Sequence, residues 1–88
     1  MKNTCPCCGY KTLDNTPPGT YEICGICFWE DDIVQFNTPD YEGGANGISR
    51  RTAKLNFAKF GACDEVSINA VRKPTCEDER DDNWHPIE

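Results

Sequence analysis

Cys5-Pro6-Cys7-Cys8-Gly9 and Cys24-Gly25-Ile26-Cys27 decide how this chain is read, because they set two C-x2-C pairs fifteen residues apart. Two residues between cysteines let the backbone curl until both sulfurs reach one ion at about 2.3 Å, and a second such turn completes a tetrahedron. The spacing C-x2-C-x15-C-x2-C lies in the range read as a zinc site, and zinc has no electronic preference that resists the tetrahedral shape. The expected ligands of one structural Zn2+ are therefore Cys5, Cys8, Cys24 and Cys27. Cys7 sits between the first two, so a register that uses it is an alternative. Disulfides or two independent redox pairs are others, and the ribbon-like spacing favours the closed cage over both. Gly9 and Gly25 are expected to take the positive φ that a metal knuckle can require, and Pro6 to stiffen the first turn.

The chain has 88 residues, near the size where a hydrophobic core alone gives marginal stability and a metal or disulfide staple is commonly needed. An unfolded chain has no preformed cage, so zinc binding is also folding free energy, and chelation is expected to unfold the N-terminal part. Seven cysteines in a short chain also fit a secreted disulfide scaffold. However, Met1-Lys2-Asn3-Thr4 runs into the first ligand without an apolar stretch, so no signal peptide is expected and the cytoplasm is the expected location. No run approaches the roughly 18 apolar residues of a membrane span.

The formal charge is −6, and four thiolates with one divalent ion take it two units lower. Nucleic-acid binding depends on neutralising phosphates, so this balance makes nucleic acid an unlikely partner and favours a basic protein or none.

Lys11-Thr12-Leu13 and Thr20-Tyr21-Glu22-Ile23 flank Pro17-Pro18-Gly19 and read as two short strands joined by a turn, with the knuckles at their far ends. Phe28 and Trp29 are expected to cover the sulfurs. Glu30-Asp31-Asp32 reads as a solvated turn or helix start rather than a catalytic or cation-binding cluster. Residues 37–47 are rich in turn formers and form an expected irregular loop, packed and leading into a helix. Its glycines lack the Gly-Lys-Ser/Thr that a phosphate loop needs.

Ser49 caps an expected helix over 49–60, stopped by Gly61. Ala53, Phe57 and Phe60 recur at helical spacing, with Ile48 and Leu55 widening the apolar arc. Arg50, Arg51 and Lys54 fall on the opposite, basic side. Cys63 reads as a small buried hydrophobe. The run 66–71 reads as a strand or as a short helix started by Asp64, and Arg72-Lys73-Pro74 as an extended exit. Residues 76–88 are an acidic tail, expected to be exposed and mobile, with Trp84 docking back onto the body. The spacing of Cys63, Cys76 and His85 matches no ligand rhythm.

Together, Cys5-Pro6-Cys7-Cys8-Gly9-Tyr10, Tyr21-Glu22-Ile23-Cys24, Cys27-Phe28-Trp29-Glu30-Asp31-Asp32, Pro39-Asp40 before Gly43-Gly44-Ala45-Asn46, Asn56-Phe57 before Phe60-Gly61-Ala62, and Val71-Arg72-Lys73-Pro74 resemble the bacterial CPCC family of small cysteine-rich proteins. The resemblance covers about residues 5–75, with one departure at Gly25, where proline or another residue is expected. It implies a single domain over 1–75 and no established activity. Some members carry a hydrolase label, which alone implies no chemistry.

The expected fold is a small, metal-stabilised α+β domain, a zinc ribbon with one packed helix. The favoured function is a non-enzymatic module for protein–protein contact, since a four-cysteine site leaves no open coordination position for substrate. A hydrolase using Asp31, Asp32, Asp40 or His85 is an alternative without a nucleophile–base pair at motif spacing. Nucleic-acid binding through Arg50, Arg51 and Lys54 is another. Electron transfer on iron, suggested by a rubredoxin-like Cys8-Gly9-Tyr10, is a fourth, but rubredoxins place their second knuckle much farther along.

Overall fold

A computed structural model describes residues 2–86. Strand β1 (Asn3–Thr4) pairs antiparallel with β2 (Lys11–Leu13), Asn3 opposite Leu13 and Thr4 opposite Lys11, with an irregularity between Asn3 and Thr4. Helix α1 (Ile33–Asn37), helix α2 (Arg50–Phe60) and a 3₁₀ helix (Glu65–Ala70) follow, so the domain is a small α+β structure with an N-terminal two-stranded hairpin.

The hairpin differs in its partners from the sequence expectation. Lys11–Leu13 pairs with Asn3–Thr4 rather than with Thr20–Ile23. The physical reason is that the C-x2-C turn is itself a tight connection, so each knuckle joins the chain that enters it to the chain that leaves it. Across the second knuckle an isolated bridge joins Ile23 to Glu30, and Tyr21 and Asp31 extend it through Tyr21 N–H to Asp31 O at 2.9 Å. Residues 14–19 connect the two units, anchored by Glu22, whose carboxylate accepts from the backbone N–H groups of Asp14 and Asn15.

Helix α2 begins and ends as its caps dictate. Ser49 Oγ accepts from Thr52 N–H at 3.1 Å, and Gly61 turns left-handed at φ 82° with its N–H bonded to Phe57 O. The face it buries corrects the sequence reading. Arg50 and Lys54, expected on an exposed basic side, are buried with Ala53, while Leu55 is half exposed. Phe57 packs against the core and meets Tyr10 edge-on at 6.3 Å. Arg50 turns inward because two carbonyls await it, Gln35 O at 3.3 Å and Phe36 O at 2.9 Å, and its guanidinium lies over the Phe36 ring. Lys54 reaches His85 O at 2.9 Å and lies over the Trp84 ring. Long aliphatic stems let such residues fill space while their heads remain bonded.

Of the acids after the second knuckle, Asp32 starts a helix, as one of the two readings expected, whereas neither Asp31 nor Asp32 is solvated. Asp32 is the N-cap of α1, its carboxylate accepting from Val34 and Gln35 N–H, while its other oxygen accepts from Ala45 N–H. Backbone hydrogen bonds, that of Gln35 foremost, hold its carboxyl below the usual range. Asp31 is fully buried. Residues 38–48 form an irregular loop wrapped around the Gln35 side chain, which donates to the carbonyls of Tyr41, Asn46 and Ile48 and accepts from both Asn46 amides.

The run 66–71 resolves toward the helix reading: Asp64 caps the 3₁₀ turn by accepting from Ser67 N–H, and Val66 and Ile68 are exposed. Of the acidic tail, residues 76–86 are described, and what is expected of 87 and 88 lies outside the described residues. Glu79 to Trp84 run along the first knuckle: Lys11 N–H donates to Glu79 O, Arg80 bridges Tyr10, and Asp81 N–H donates to Gly9 O. Trp84 docks as expected, its indole N–H on Pro6 O at 3.0 Å. Arg80 fills the remaining space, its guanidinium over the Tyr10 and Trp84 rings at 4.9 and 4.5 Å. Among the described residues no helix is long and apolar enough to cross a membrane.

Candidate metal centre

The two knuckles are built to one plan. In the first, Gly9 N–H donates to Cys5 O at 2.9 Å and Cys5 N–H to Tyr10 O at 2.9 Å; in the second, Phe28 N–H donates to Cys24 O at 2.8 Å and Cys24 N–H to Trp29 O at 3.0 Å. Each turn therefore needs a left-handed residue directly after its second cysteine. Gly9 supplies it at φ 80°, and Phe28 supplies it at φ 71°. Gly25, expected to share that role, does not have a positive φ and stands where Pro6 stands in the first knuckle.

This equivalence carries a prediction. Alanine at Gly9 would place its Cβ 2.4 Å from the Trp84 ring in a conformation that L side chains rarely adopt. Gly9→Ala should lower stability by roughly 2 kcal/mol or more, while Phe28→Gly removes left-handed strain and should raise it by about 0.5–1 kcal/mol. Denaturant midpoints of the two variants check this, and equal shifts of the same sign would contradict the shared plan.

Four sulfurs converge where the knuckles meet. Cys5, Cys8, Cys24 and Cys27 are all fully buried, and their Sγ atoms lie within 4.8 Å of one another. Cys5 and Cys27 are 3.6 Å apart and Cys8 and Cys24 3.7 Å. A tetrahedron of sulfurs about 2.3 Å from a central ion has edges of about 3.8 Å. A disulfide needs about 2.05 Å. The observed separations match the first, and all seven cysteines are free thiols. The four cysteines can thus hold one metal ion, and among the described residues they are the group of His, Cys, Asp and Glu side chains so placed.

Electrostatics support a cation. Burial pushes the Cys5 and Cys27 thiols well up, and Cys8 is driven up chiefly by its hydrogen bond with Cys24. Cys24 moves the other way, its thiolate favoured by hydrogen bonds from Cys27, Cys5 and Cys8 and by Thr12, whose hydroxyl donates to Cys24 Sγ at 3.1 Å. Four thiolates in a dry site require a positive ion among them.

Around the sulfurs pack Leu13, Ile26 and Trp29, each 1% exposed or less. Trp29 covers the site as expected, whereas Phe28 points outward. Cys7 is buried with the cluster but outside the group of four, and its thiol interacts with Cys27. Cys63 is buried as expected, and burial pushes its thiol up to about 12.

The acids of the hydrolase reading are dispersed in their tasks. Asp31 Oδ2 accepts from the Thr20 N–H and hydroxyl at 2.9 and 2.8 Å, while its buried Oδ1 has no hydrogen-bond partner among the described residues. Asp32 caps α1. Asp40 pairs on the surface with Arg51 at 2.7 Å, and His85 is exposed. Arg50, Arg51 and Lys54 do not form one outward face, since two of them are buried. Sequence reasoning missed Gln35 and Asn46, and their signal was faint: Gln35 is a lone polar residue between Val34 and Phe36, and Asn46 is one polar residue among turn formers.

A compact α+β domain closed by a buried four-cysteine cluster is one whose two knuckles could hold a metal ion between them. The family model for cysteine-rich CPCC proteins matches residues 3–78, and the chain belongs to that family. No curated protein matches the chain.

Proposed function

We propose that this protein is a zinc-stapled module for protein–protein contact, with a structural rather than catalytic ion. The observation that carries the reading is the complete burial of four sulfurs at tetrahedral separations. Four protein ligands fill the coordination of a structural zinc, whereas a catalytic zinc keeps a position open for water. The burial of Asp31 and the capping role of Asp32 further weaken a hydrolytic reading. Zinc would be held by Cys5, Cys8, Cys24 and Cys27 and would supply cohesion between the knuckles. A reducing compartment such as the cytoplasm suits a chain whose thiols are all free.

The formal charge of −6 makes a basic protein the fitting partner. Crosslinking in cells at native expression, followed by measurement of the purified pair at two ionic strengths, tests this. The expected result is one basic protein whose association weakens as salt rises. Absence of any crosslinked protein, or a complex indifferent to salt, would overturn the partner assignment.

A further inference from the structure

The two knuckles share one plan but close their outer edges differently. In the second, Glu30 N–H donates to Asn46 Oδ1 at 2.9 Å and Asn46 Nδ2 donates to Glu30 O at 2.8 Å, so a side-chain amide from the packed loop takes the place of a neighbouring strand. Lys11 stands where Glu30 stands, and its N–H donates instead to Glu79 O at 2.8 Å, while Asp81 N–H donates to Gly9 O at 2.8 Å. Tyr10 and Arg80 face each other across this antiparallel bridge. The first edge is thus closed by an extended peptide added as a strand, a recurring mode of recognition in which backbone bonds give affinity and side-chain pockets give specificity.

The pockets are built from the first knuckle and α2. Arg80 Nε donates to Cys8 O at 3.0 Å, and its guanidinium lies 4.9 and 5.9 Å from the Tyr10 and Phe57 ring centroids. Four residues on, Trp84 lies so close to Gly9 that a Cβ there would come within 2.4 Å of its ring, and its indole N–H donates to Pro6 O. The occupant is held shallowly: Glu79, Arg80, Asp82 and Asn83 stay exposed, and Asp81 and Trp84 are half-buried. It hangs from the exposed residues 73–77, and the match to the family ends just before it, at residue 78. The edge lies inside the matched stretch and its occupant outside.

We propose that the edge at residues 9–11 is a docking site for an extended segment of a partner protein that carries an arginine and, four residues later, a tryptophan, with residues 79–84 as a built-in competitor. The arginine slot suits the basic partner of the preceding section, and the inference rests on that reading of the protein as a contact module. A tethered competitor acts at an effective concentration on the order of millimolar, so only a segment that binds more tightly, or is itself held close, displaces it.

The test loosens the strap in the labelled full chain with Arg80→Ala and Trp84→Ala together, then adds a peptide with the sequence of residues 78–86. Amide resonances of Gly9, Tyr10 and Lys11 are the readout. Saturable shifts are expected, with binding about tenfold or more weaker in the unaltered chain and for a peptide with alanine in place of its tryptophan. Asp81→Pro, which removes the N–H donated to Gly9 O, should also bind the peptide more tightly than the unaltered chain, and it serves where the double variant does not fold. No saturable shift, equal affinity in the unaltered chain, or loss of fold in both variants would overturn the assignment. The two readings fail separately: a salt-sensitive crosslinked partner without peptide shifts overturns this inference alone, and peptide shifts at the edge without any crosslinked protein overturn the basic partner alone.

Discussion

Serine in place of Cys24 should strip the metal from the chain and unfold the two knuckles with it, and a strong chelator should do the same to the unaltered protein. Among the described residues, six of the ten in the buried core cluster are cysteines, which leaves Leu13, Ile26 and Trp29 as its large apolar side chains. Such a core cannot offset the conformational entropy of ordering the chain, on the order of 1–2 kcal/mol per residue for the backbone. In small zinc domains the ion contributes on the order of 10 kcal/mol. Cys24 is the sulfur on which the hydrogen bonds converge, from Thr12 Oγ1 and from Ile26 N–H at 3.4 Å. Far-ultraviolet circular dichroism with and without chelator checks the expectation, and loss of metal without loss of signal would contradict it. Acid should act in the same direction, because each proton returned to a thiolate competes with the ion.

Leucine in place of Gln35 should be the most damaging change outside the cage. The side chain is fully buried and is the only described group holding the loop carbonyls of Tyr41, Asn46 and Ile48 together. An isosteric apolar residue keeps the volume but leaves these carbonyls and the Asn46 backbone N–H without the Gln35 side chain, while the Asn46 side-chain amide keeps Glu30 O, and each unpaired buried group costs about 1–3 kcal/mol. The losses are not additive, so a total of about 3–5 kcal/mol is expected. For a domain of this size that is a fall of roughly 15 °C or more in melting temperature. Gln35→Leu should still bind metal, since Gln35 touches none of the four sulfurs. A variant that loses metal and loop order together would show that cage and loop are one cooperative unit.

How legible these features were depends on whether local rules decided them. The C-x2-C pairs state their geometry in their spacing, and Ser49 and Gly61 bracket α2 because caps are local chemistry. Strand pairing was misjudged because alternation in Lys11–Leu13 says which face is covered but not which strand lies beside it. The apolar arc of α2 was misjudged because hydropathy treats Arg50 and Lys54 as surface residues. Their burial depends on carbonyls and rings supplied by residues 35–36 and 84–85, distant in sequence. Asp31 and Gln35 carried no periodic signal, and Phe28 became recognisable as a left-handed residue only beside its equivalent, Gly9.

Native mass spectrometry of the full chain, purified under reducing conditions, tests the central claim most directly. The expected mass is that of one chain with one zinc ion in place of two protons and no disulfide, and the variant Cys24→Ser should lack the ion. A folded chain without metal, or one whose mass and peptide map show Cys5, Cys8, Cys24 and Cys27 joined in pairs, would contradict it.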